Sequence, residues 1–286
     1  MKKIIMSFLV VVLFLGMTGI AMAYSIKDDA TGGDCTSIGI WDWATKTCTL
    51  TTDVYEPIHI DSDYITLDGN GHTVSGTGYQ EVVSLLSRTG VMIKNLNVKN
   101  ADYSGITLRD SNNNTLTGNT VSNNYFGIML YFSNSNTITG NTAEYNVGGI
   151  HTSYSTDNTF TGNTVLGNLE RPQVPVPYKY HYQHGLYFDN SSNNTLTDNI
   201  VSGNMYAGIY LDRDSSNNSL AGNIALNNIF GFVIFGGYNN AFVANTACNN
   251  TNYDFAVQGL VTESDNICDK VYHVGYPIKC IPCRRS

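Results

Sequence analysis

The chain has 286 residues, of which 42% are hydrophobic and only 13% are charged, and its formal net charge is −8. Binding to phosphates needs concentrated Lys and Arg, but apart from two lysines at the start the only basic pair is Arg284-Arg285. This charge balance excludes nucleic acid as an expected partner and argues against an anionic membrane surface.

The first 23 residues have the pattern of a signal peptide. Lys2 and Lys3 precede an apolar run from Ile4 to Leu15, and Ala21-Met22-Ala23 is a small-x-small cleavage site. The alternative is an uncleaved N-terminal anchor, but the run is short for a membrane span. We therefore expect a mature chain that begins near Tyr24, has no membrane span and is secreted or on the cell surface, with the periplasm as an alternative.

All six cysteines lie near the two ends of the mature chain. An even number in an exported protein favours disulfides, and their position predicts that they staple terminal caps. Cys35 and Cys48 are the favoured pair. Cys280-Ile-Pro-Cys283 also has the spacing of a redox or metal site, although a structural role is favoured. The cysteines are Cys35, Cys48, Cys248, Cys268, Cys280 and Cys283.

The middle of the chain is built from a repeated sequence. Thr115-Leu-Thr-Gly-Asn-Thr-Val121 returns five times in related form, and its asparagine recurs after 22, 22, 36, 24 and 22 residues. The interval of 36 is one repeat with an insertion at 169–184. The repeated asparagines are Asn119, Asn141, Asn163, Asn199, Asn223 and Asn245.

A second motif, Gly-Ile-x-Leu, keeps step with the first, as in Gly105-Ile-Thr-Leu108 and Gly208-Ile-Tyr-Leu211. Each repeat thus has two short β-favouring runs separated by Asn, Gly and Ser turn signals. The runs are too short and too β-branched for helices. The pattern predicts an all-β fold: a right-handed parallel β-helix solenoid with coils of about 22 residues and disulfide-stapled N- and C-terminal caps.

The predicted organisation follows from the repeat. We expect a signal peptide at 1–23, an N-terminal cap at 24–52, β-helix repeats at 53–261 and a Cys-rich cap at 262–286. Alternation places the Ile and Leu of Gly-Ile-x-Leu inside the coil. Because an unpaired buried amide is costly, the repeated asparagines are expected to form a structural ladder with hydrogen bonds between coils.

These motifs resemble those of the NosD-like family of parallel β-helix domains, within a broader carbohydrate-binding and sugar-hydrolase group. The resemblance rests on Asn-x-Thr-Leu-Thr-Gly-Asn-Thr-Val, the Gly-Ile-x-Leu strands, Cys48-Thr-Leu-Thr-Thr and Ile65-Thr-Leu-Asp-Gly, over roughly residues 45–260. It implies the fold more specifically than the function. The group includes copper-protein maturation factors, polysaccharide lyases and epimerases, and surface proteins.

The outward positions of the Gly-Ile-x-Leu motif form the predicted binding surface. The x position gives one column, Thr107, Met129, His151, Tyr187, Tyr210 and Val233, and the residue two places later gives another. Aromatic faces beside carboxylates suit sugar rings, because the rings stack and the hydroxyls bond to the acids. The candidate ligand-binding residues are Arg109, Tyr131, His151, Tyr187, Asp189, Tyr210 and Asp212.

The insertion at 169–184 adds a concentrated group of acid–base residues, and a long loop in a compact repeat is typically functional. Its candidate catalytic residues are Arg171, Lys179, His181 and His184.

Three functions are consistent with the sequence. The first is a surface module that binds a polysaccharide or cell-surface glycan. The second is a polysaccharide lyase or epimerase, or a hydrolase, although the Asp-Pro-His-Asp segment of mannuronan epimerases is missing and Asp189 and Asp212 are expected to lie closer than a retaining glycosidase requires. The third, implied by the resemblance, is copper handling through Met129 with His151, or through His181 and His184 with Met205. No cofactor is predicted, with copper or calcium as the alternatives.

Overall fold

The fold is a stack of coils, each made of three short strands joined by turns. The computed structural model describes residues 23–76, 78–169, 183–275 and 278–284. Successive coils pair in parallel and mostly in register, as in Ile106↔Ile128↔Ile150. The predicted all-β parallel solenoid is therefore confirmed.

The strands form three columns along the stack. The first column carries the Gly-Ile-x-Leu motif and comprises β1 (Tyr24–Ile26), β4 (Ile58–Ile60), β7 (Glu81–Leu86), β10 (Ser104–Arg109), β13 (Phe126–Tyr131), β16 (Gly148–Ser153), β19 (Leu186–Asp189), β22 (Ala207–Leu211) and β29 (Val271–Gly275). The second column carries the Thr-Leu-Thr segments and comprises β3 (Thr47–Leu50), β5 (Thr66–Asp68), β8 (Met92–Lys94), β11 (Thr115–Thr117), β14 (Thr137–Thr139), β17 (Thr159–Thr161), β20 (Thr195–Thr197) and β23 (Ser219–Ala221). Two long strands, β25 (Phe230–Val243) and β27 (Tyr253–Ser264), run through the bend and join both columns.

The third column follows the repeated asparagines and forms a separate sheet. It comprises β6 (Thr73–Ser75), β9 (Asn97–Lys99), β12 (Thr120–Ser122), β15 (Thr142–Glu144), β18 (Thr164–Leu166), β21 (Ile200–Ser202), β24 (Ile224–Leu226), β26 (Thr246–Cys248), β28 (Asn266–Ile267) and β30 (Cys280–Ile281).

The N-terminal segment closes one end of the stack. A single-turn helix, α1 (Cys35–Ile38), leads into β2 (Gly39–Asp42), which pairs with β3 in antiparallel orientation. Trp41 packs against the core, whereas Trp43 is 77% exposed. A disulfide between Cys35 and Cys48 ties the helix to β3.

The C-terminal segment continues the columns. Strand β27 crosses the boundary expected between 261 and 262, and β28 to β30 add further rungs. Disulfides join Cys248 to Cys283 and Cys268 to Cys280. The two cysteines of the CxxC segment are therefore bonded to different partners, which excludes the alternative of a redox or metal site formed by that pair.

The interior is filled by in-register columns of apolar side chains. Leu116, Ile138, Phe160, Leu196 and Leu220 lie one above the other in the second column, and each is fully buried. Burying one such side chain contributes roughly 1.5–3 kcal/mol. The Leu position of the first column holds Thr152 in one coil, also buried. Alternation along short strands thus fills the tube.

The repeated asparagines stack directly over one another in the turn between the second and third columns. The Asn141 side-chain amide donates to Oδ1 of Asn163 at 3.1 Å, and Oδ1 of Asn141 accepts from the backbone N–H and side-chain amide of Asn119 at 3.0 and 2.9 Å. Each amide also donates to a backbone carbonyl, such as that of Leu116 for Asn141. The same contacts join the later members Asn199, Asn223 and Asn245.

Two further ladders were missed at the sequence level. They begin at Asn114 and Asn124, five residues on either side of Asn119, and each has one member in every successive coil. The sequence contains the signal, because asparagine recurs at these offsets too. Their members are Asn114, Asn136, Asn158, Asn194, Asn218 and Asn240, and Asn124, Asn146, Asn168, Asn204, Asn228 and Asn250.

Candidate functional site

The outward x positions of the first column lie in register, as the alternation predicted. Met129 pairs with His151, His151 with Tyr187, and Tyr187 with Tyr210. The expectation that the whole column is open is wrong, since Thr107, Met129 and His151 are only 1%, 7% and 5% exposed. Aromatic neighbours cover this part of the column; the ring centroid of Phe126, for instance, lies 4.7 Å from that of His151. The accessible part begins at Tyr187.

A depression on this face, the central cleft, has a volume of about 430 Å³. Strands β19 and β22 and the turn after β22 bring its walls together. Four of the predicted ligand-binding residues meet here, namely Tyr187, Asp189, Tyr210 and Asp212, together with the predicted catalytic residue His184. The other lining residues are Asn190, Tyr206, Arg213, Asp214 and Phe235.

Hydrogen bonds hold the two central carboxylates in place. The Tyr187 hydroxyl donates to Oδ2 of Asp212 at 3.0 Å, and the backbone N–H of Arg213 donates to Oδ1 of Asp212 at 2.7 Å. The side-chain amide of Asn190 donates to Oδ1 of Asp189 at 3.0 Å. Each carboxylate thus has a fixed orientation and retains lone pairs for a ligand.

Tyr187 and Tyr210, two of the three tyrosines that line the cleft, remain protonated. Burial raises the pKa of Tyr187 well above its usual value, and the charges of Asp212 and Asp189 raise it further. Burial and then the Asp212 charge likewise raise the pKa of Tyr210. The phenols therefore act as hydrogen-bond donors and apolar faces rather than as bases.

The cleft continues in both directions along the stack. It shares Tyr187 and Asp189 with a cleft of about 250 Å³ on the N-terminal side, which also contains Tyr131 and Tyr154. It shares Arg213, Asp214 and Phe235 with a cleft of about 530 Å³ on the C-terminal side, which reaches Tyr238 and Gln258. We call the three together the groove. From the coil of Tyr131 to that of Gln258 the groove crosses five coil spacings, or about 24 Å.

Arg109, in contrast, lies outside the groove. Its strand position is in register with Tyr131, but its guanidinium forms an ion pair with Glu81 at 3.2 Å. Both residues line a separate cleft of about 180 Å³, with His59 and Ser84. Of the seven predicted ligand-binding residues, Arg109 is the one that the structure separates from the rest.

A buried polar chain runs beneath the N-terminal side of the groove. Nε2 of His151 lies 2.9 Å from the Ser153 hydroxyl, which donates to Oδ2 of Asp189 at 3.2 Å. Burial lowers the pKa of His151 to about 3, so the ring is neutral at physiological pH. Because Ser153 donates to Asp189, its oxygen accepts from His151, and the chain helps to orient the Asp189 carboxylate.

Comparison with known proteins identifies the fold family. The model of a right-handed β-helix region matches residues 58–225 and 178–267, which together cover most of the chain. This chain belongs to the right-handed β-helix family. A comparison with curated protein sequences finds no significant match.

Three solved structures resemble this β-helix protein. The A-module of the Azotobacter vinelandii mannuronan C-5 epimerase AlgE6 has 12% identity and a TM-score of 0.56, with 92% of this chain and 88% of that one covered. Pectate lyase Pel9A has 11% identity and a TM-score of 0.52, with 85% and 76% covered. Tailspike protein 2 of an Escherichia coli O157:H7 bacteriophage has 12% identity and a TM-score of 0.52, with 84% and 38% covered, so the chain spans well under half of that protein. At such identities the likeness shows the fold alone.

The predicted catalytic group lies mostly beyond the described part of the β-helix. Arg171, Lys179 and His181 belong to 170–182, outside the described residues. His184 is described: its ring is buried, stacks on Tyr187 with centroids 4.9 Å apart, and contacts Tyr210 at 4.6 Å. It therefore packs as part of the wall of the central cleft.

Sequence reasoning missed several groove residues. Arg213 and Asp214 lie in the turn after β22, and the Arg213 guanidinium carbon lies 4.7 Å above the Phe235 ring centroid. The signal was available, because Asp212-Arg213-Asp214 is a run of three charges in a chain with few.

Some of the candidate copper ligands lie near the groove. Met129 and His151 lie side by side on adjacent strands, and His184 lines the central cleft. Within the described residues no three His, Cys, Asp or Glu side chains come together as a metal-binding group. In the same residues no helix has the length and apolar character needed to cross a bilayer.

Proposed function

We propose that this β-helix protein binds a polysaccharide chain in the groove on its outer face. One observation carries the proposal: two half-buried tyrosines, Tyr187 and Tyr210, line one cleft with oriented carboxylates, and the Tyr187 hydroxyl is bonded to Asp212. The apolar faces of sugar rings stack on tyrosines, while sugar hydroxyls donate to carboxylates. Both kinds of contact are available at the centre of the groove.

The shape of the groove supports a chain rather than a single sugar. Its three clefts share lining residues and follow the axis of the stack, so a linear ligand contacts several coils at once. The rigid ladder of asparagines beneath the turns keeps these contacts at fixed spacing, so little ordering free energy is lost on binding. Two proteins with this fold, the pectate lyase and the mannuronan epimerase, are named for polysaccharides, which are the class of ligand that we propose.

The proposal includes an extracellular or cell-surface location. The three disulfides support it, because such bonds persist in oxidising compartments. Polysaccharides and surface glycans are available as partners at such a location.

Binding is tested with the purified mature protein on immobilised polysaccharides, followed by titration calorimetry. Tyr187→Ala with Tyr210→Ala removes both aromatic faces, and we expect binding to fall at least tenfold while the circular-dichroism spectrum is unchanged. Tyr145→Ala is the matched control, since Tyr145 is 60% exposed and does not line the groove. If wild type, the double variant and Tyr145→Ala bound equally well, the groove would not be the binding site.

A catalytic role at the same groove is the second candidate. The supporting observation is a protonated phenol, Tyr187, held beside two carboxylates in one cleft. An acid and a base in contact with one ligand are what a lyase, an epimerase or a glycoside hydrolase requires. Release of unsaturated uronate or of new reducing ends from a bound polysaccharide distinguishes this candidate from binding alone. Copper handling, the implication of the NosD-like resemblance, is tested by metal analysis of the same preparation.

A further inference from the structure

We infer that the groove selects a neutral, hydroxyl-rich glycan and rejects a polyuronate, an inference that rests on the proposed function. It concerns the class of polysaccharide, which the fold family leaves open. The groove offers several carboxylates at its centre, whereas a chain of uronic acids carries a negative charge on every sugar.

The distribution of charge along the groove is the first observation. Asp189, Asp212 and Asp214 line the central cleft. Among the described lining residues of the three clefts, Arg213 is the one that carries a permanent positive charge. The described residues that line the central cleft therefore carry a net negative charge. The formal net charge of the whole chain is also negative, at −8.

The Arg213 guanidinium is poorly placed to receive a uronate. Its carbon lies 4.7 Å above the Phe235 ring centroid, a cation–π contact that uses one face of the group. It is flanked along the chain by Asp212 and Asp214, which line the same cleft. An incoming carboxylate that approaches Arg213 must therefore also approach two like charges.

The second observation comes from the tyrosine between the carboxylates. The charges of Asp212 and Asp189, after burial, raise the pKa of Tyr187, because a second negative charge at this point is disfavoured. A uronate carboxylate at the same point meets the same repulsion. A sugar hydroxyl, in contrast, donates to these carboxylates and forms charge-assisted hydrogen bonds.

The orientation of the carboxylates fits this role. Asp189 is held by Asn190 and Ser153, and Asp212 by Tyr187 and the backbone of Arg213. These bonds fix the direction of the remaining lone pairs, which are acceptors. The groove therefore matches a ligand rich in donors.

The test compares neutral dextran, mannan and xylan with polygalacturonate and alginate, by titration calorimetry at low and high salt. We expect at least one neutral polysaccharide to bind ten times or more tightly than either polyuronate. Its affinity should change little with salt, whereas any weak polyuronate binding should strengthen as salt screens the repulsion.

The double variant Asp189→Asn, Asp212→Asn separates charge from shape. Because it removes two negative charges but keeps polar side chains, we expect its affinity for polygalacturonate to rise about tenfold and its affinity for the neutral ligand to fall. Asp198→Asn is the matched control, since Asp198 is an exposed turn residue that does not line the groove. It should behave as wild type.

The outcomes separate the inference from the function on which it rests. Tighter binding of polygalacturonate or alginate than of every neutral glycan overturns the inference and leaves the proposed function standing. If none of the five polysaccharides binds, both the inference and the proposed function fail.

Discussion

Tyr187 and Asp212, on adjacent coils, are joined by a hydrogen bond of 3.0 Å from the phenol hydroxyl to a carboxylate oxygen. The bond ties an aromatic ring on one strand to a carboxylate at the end of the next strand in the column. Neither residue has this partner within its own repeat. The centre of the groove therefore depends on the stacking of the coils rather than on a local motif.

Tyr187→Phe isolates this bond. The variant keeps the ring but removes one of the two hydrogen bonds that hold Asp212, and a hydrogen bond to a charged group contributes about 1.5–3 kcal/mol. We expect affinity for the bound polysaccharide to fall about tenfold, measured by calorimetry. The thermal midpoint should fall by only a few degrees, because the rest of the fold is unchanged. Tyr145→Phe serves as control. An unaltered affinity would mean that the pair is not part of the binding surface.

Asn163→Ala tests the asparagine ladder. The change leaves the Ile138 carbonyl and the Asn141 backbone N–H without their partners inside the fold. Each such group costs about 1–3 kcal/mol, so the free energy of unfolding should fall by about 3 kcal/mol or more in urea titrations. Asn252→Ala, at an exposed position, should change it by less than about 0.5 kcal/mol. Equal values for both variants would contradict a structural role of the ladder.

Gly149→Ala tests the close approach of neighbouring coils. A Cβ at this position would lie 2.4 Å from the Gly185 carbonyl oxygen, a backbone atom that no rotamer change can move. We expect a loss of about 3 kcal/mol in the free energy of unfolding.

The matched control for this variant is Gly140→Ala. At Gly140 the added Cβ meets nothing within 4 Å, and the cost is that of a left-handed backbone at φ 61°, about 1 kcal/mol. If the two alanine variants were equally stable, the contact between coils would not explain the glycine at 149.

The disulfide between Cys35 and Cys48 closes a short loop with a sequence separation of 13. Loop-closure entropy predicts that the double variant Cys35→Ser, Cys48→Ser loses about 3 kcal/mol of stability. Hydrogen exchange should show the largest loss of protection in β2 and β3. Protection lost evenly along the whole stack would show that this bond does not act locally on the N-terminal end.

Buried His151 predicts a pH dependence of stability. Burial lowers its pKa to about 3 in the folded state, whereas the unfolded chain titrates near 6.5. The unfolded state therefore binds the proton more readily, and stability falls as the pH decreases from about 6.5 towards 3, by up to about 5 kcal/mol.

The comparison that isolates this histidine uses urea titrations at pH 7 and pH 4. His151→Gln should lose less stability between these two values than wild type does, because it has no ring to protonate. His273→Gln, at an exposed position, should follow wild type. A pH dependence that is identical in all three proteins would assign it to other groups.

The amino-acid sequence alone determined the solenoid, because a repeat of 22 residues with two short β-favouring runs has one way to bury its alternating apolar side chains. It therefore predicted the stacking of Leu196 over Phe160 and the ladder through Asn141 and Asn163, which the register and hydrogen bonds show. The same alternation predicted that His151, Tyr187 and Tyr210 share a column.

Only the tertiary structure decided which members of that column are accessible. His151 and Tyr187 occupy equivalent repeat positions, yet one is 5% exposed and the other is half-buried beside the cleft, because Phe126 and its neighbours cover the first. The ion pair of Arg109 with Glu81, and the position of Arg213 over Phe235, are likewise contacts between coils. The position of a residue in the repeat sets whether its side chain points into or out of the coil. The environment of that side chain depends on the side chains of adjacent coils, and these differ from one repeat to the next.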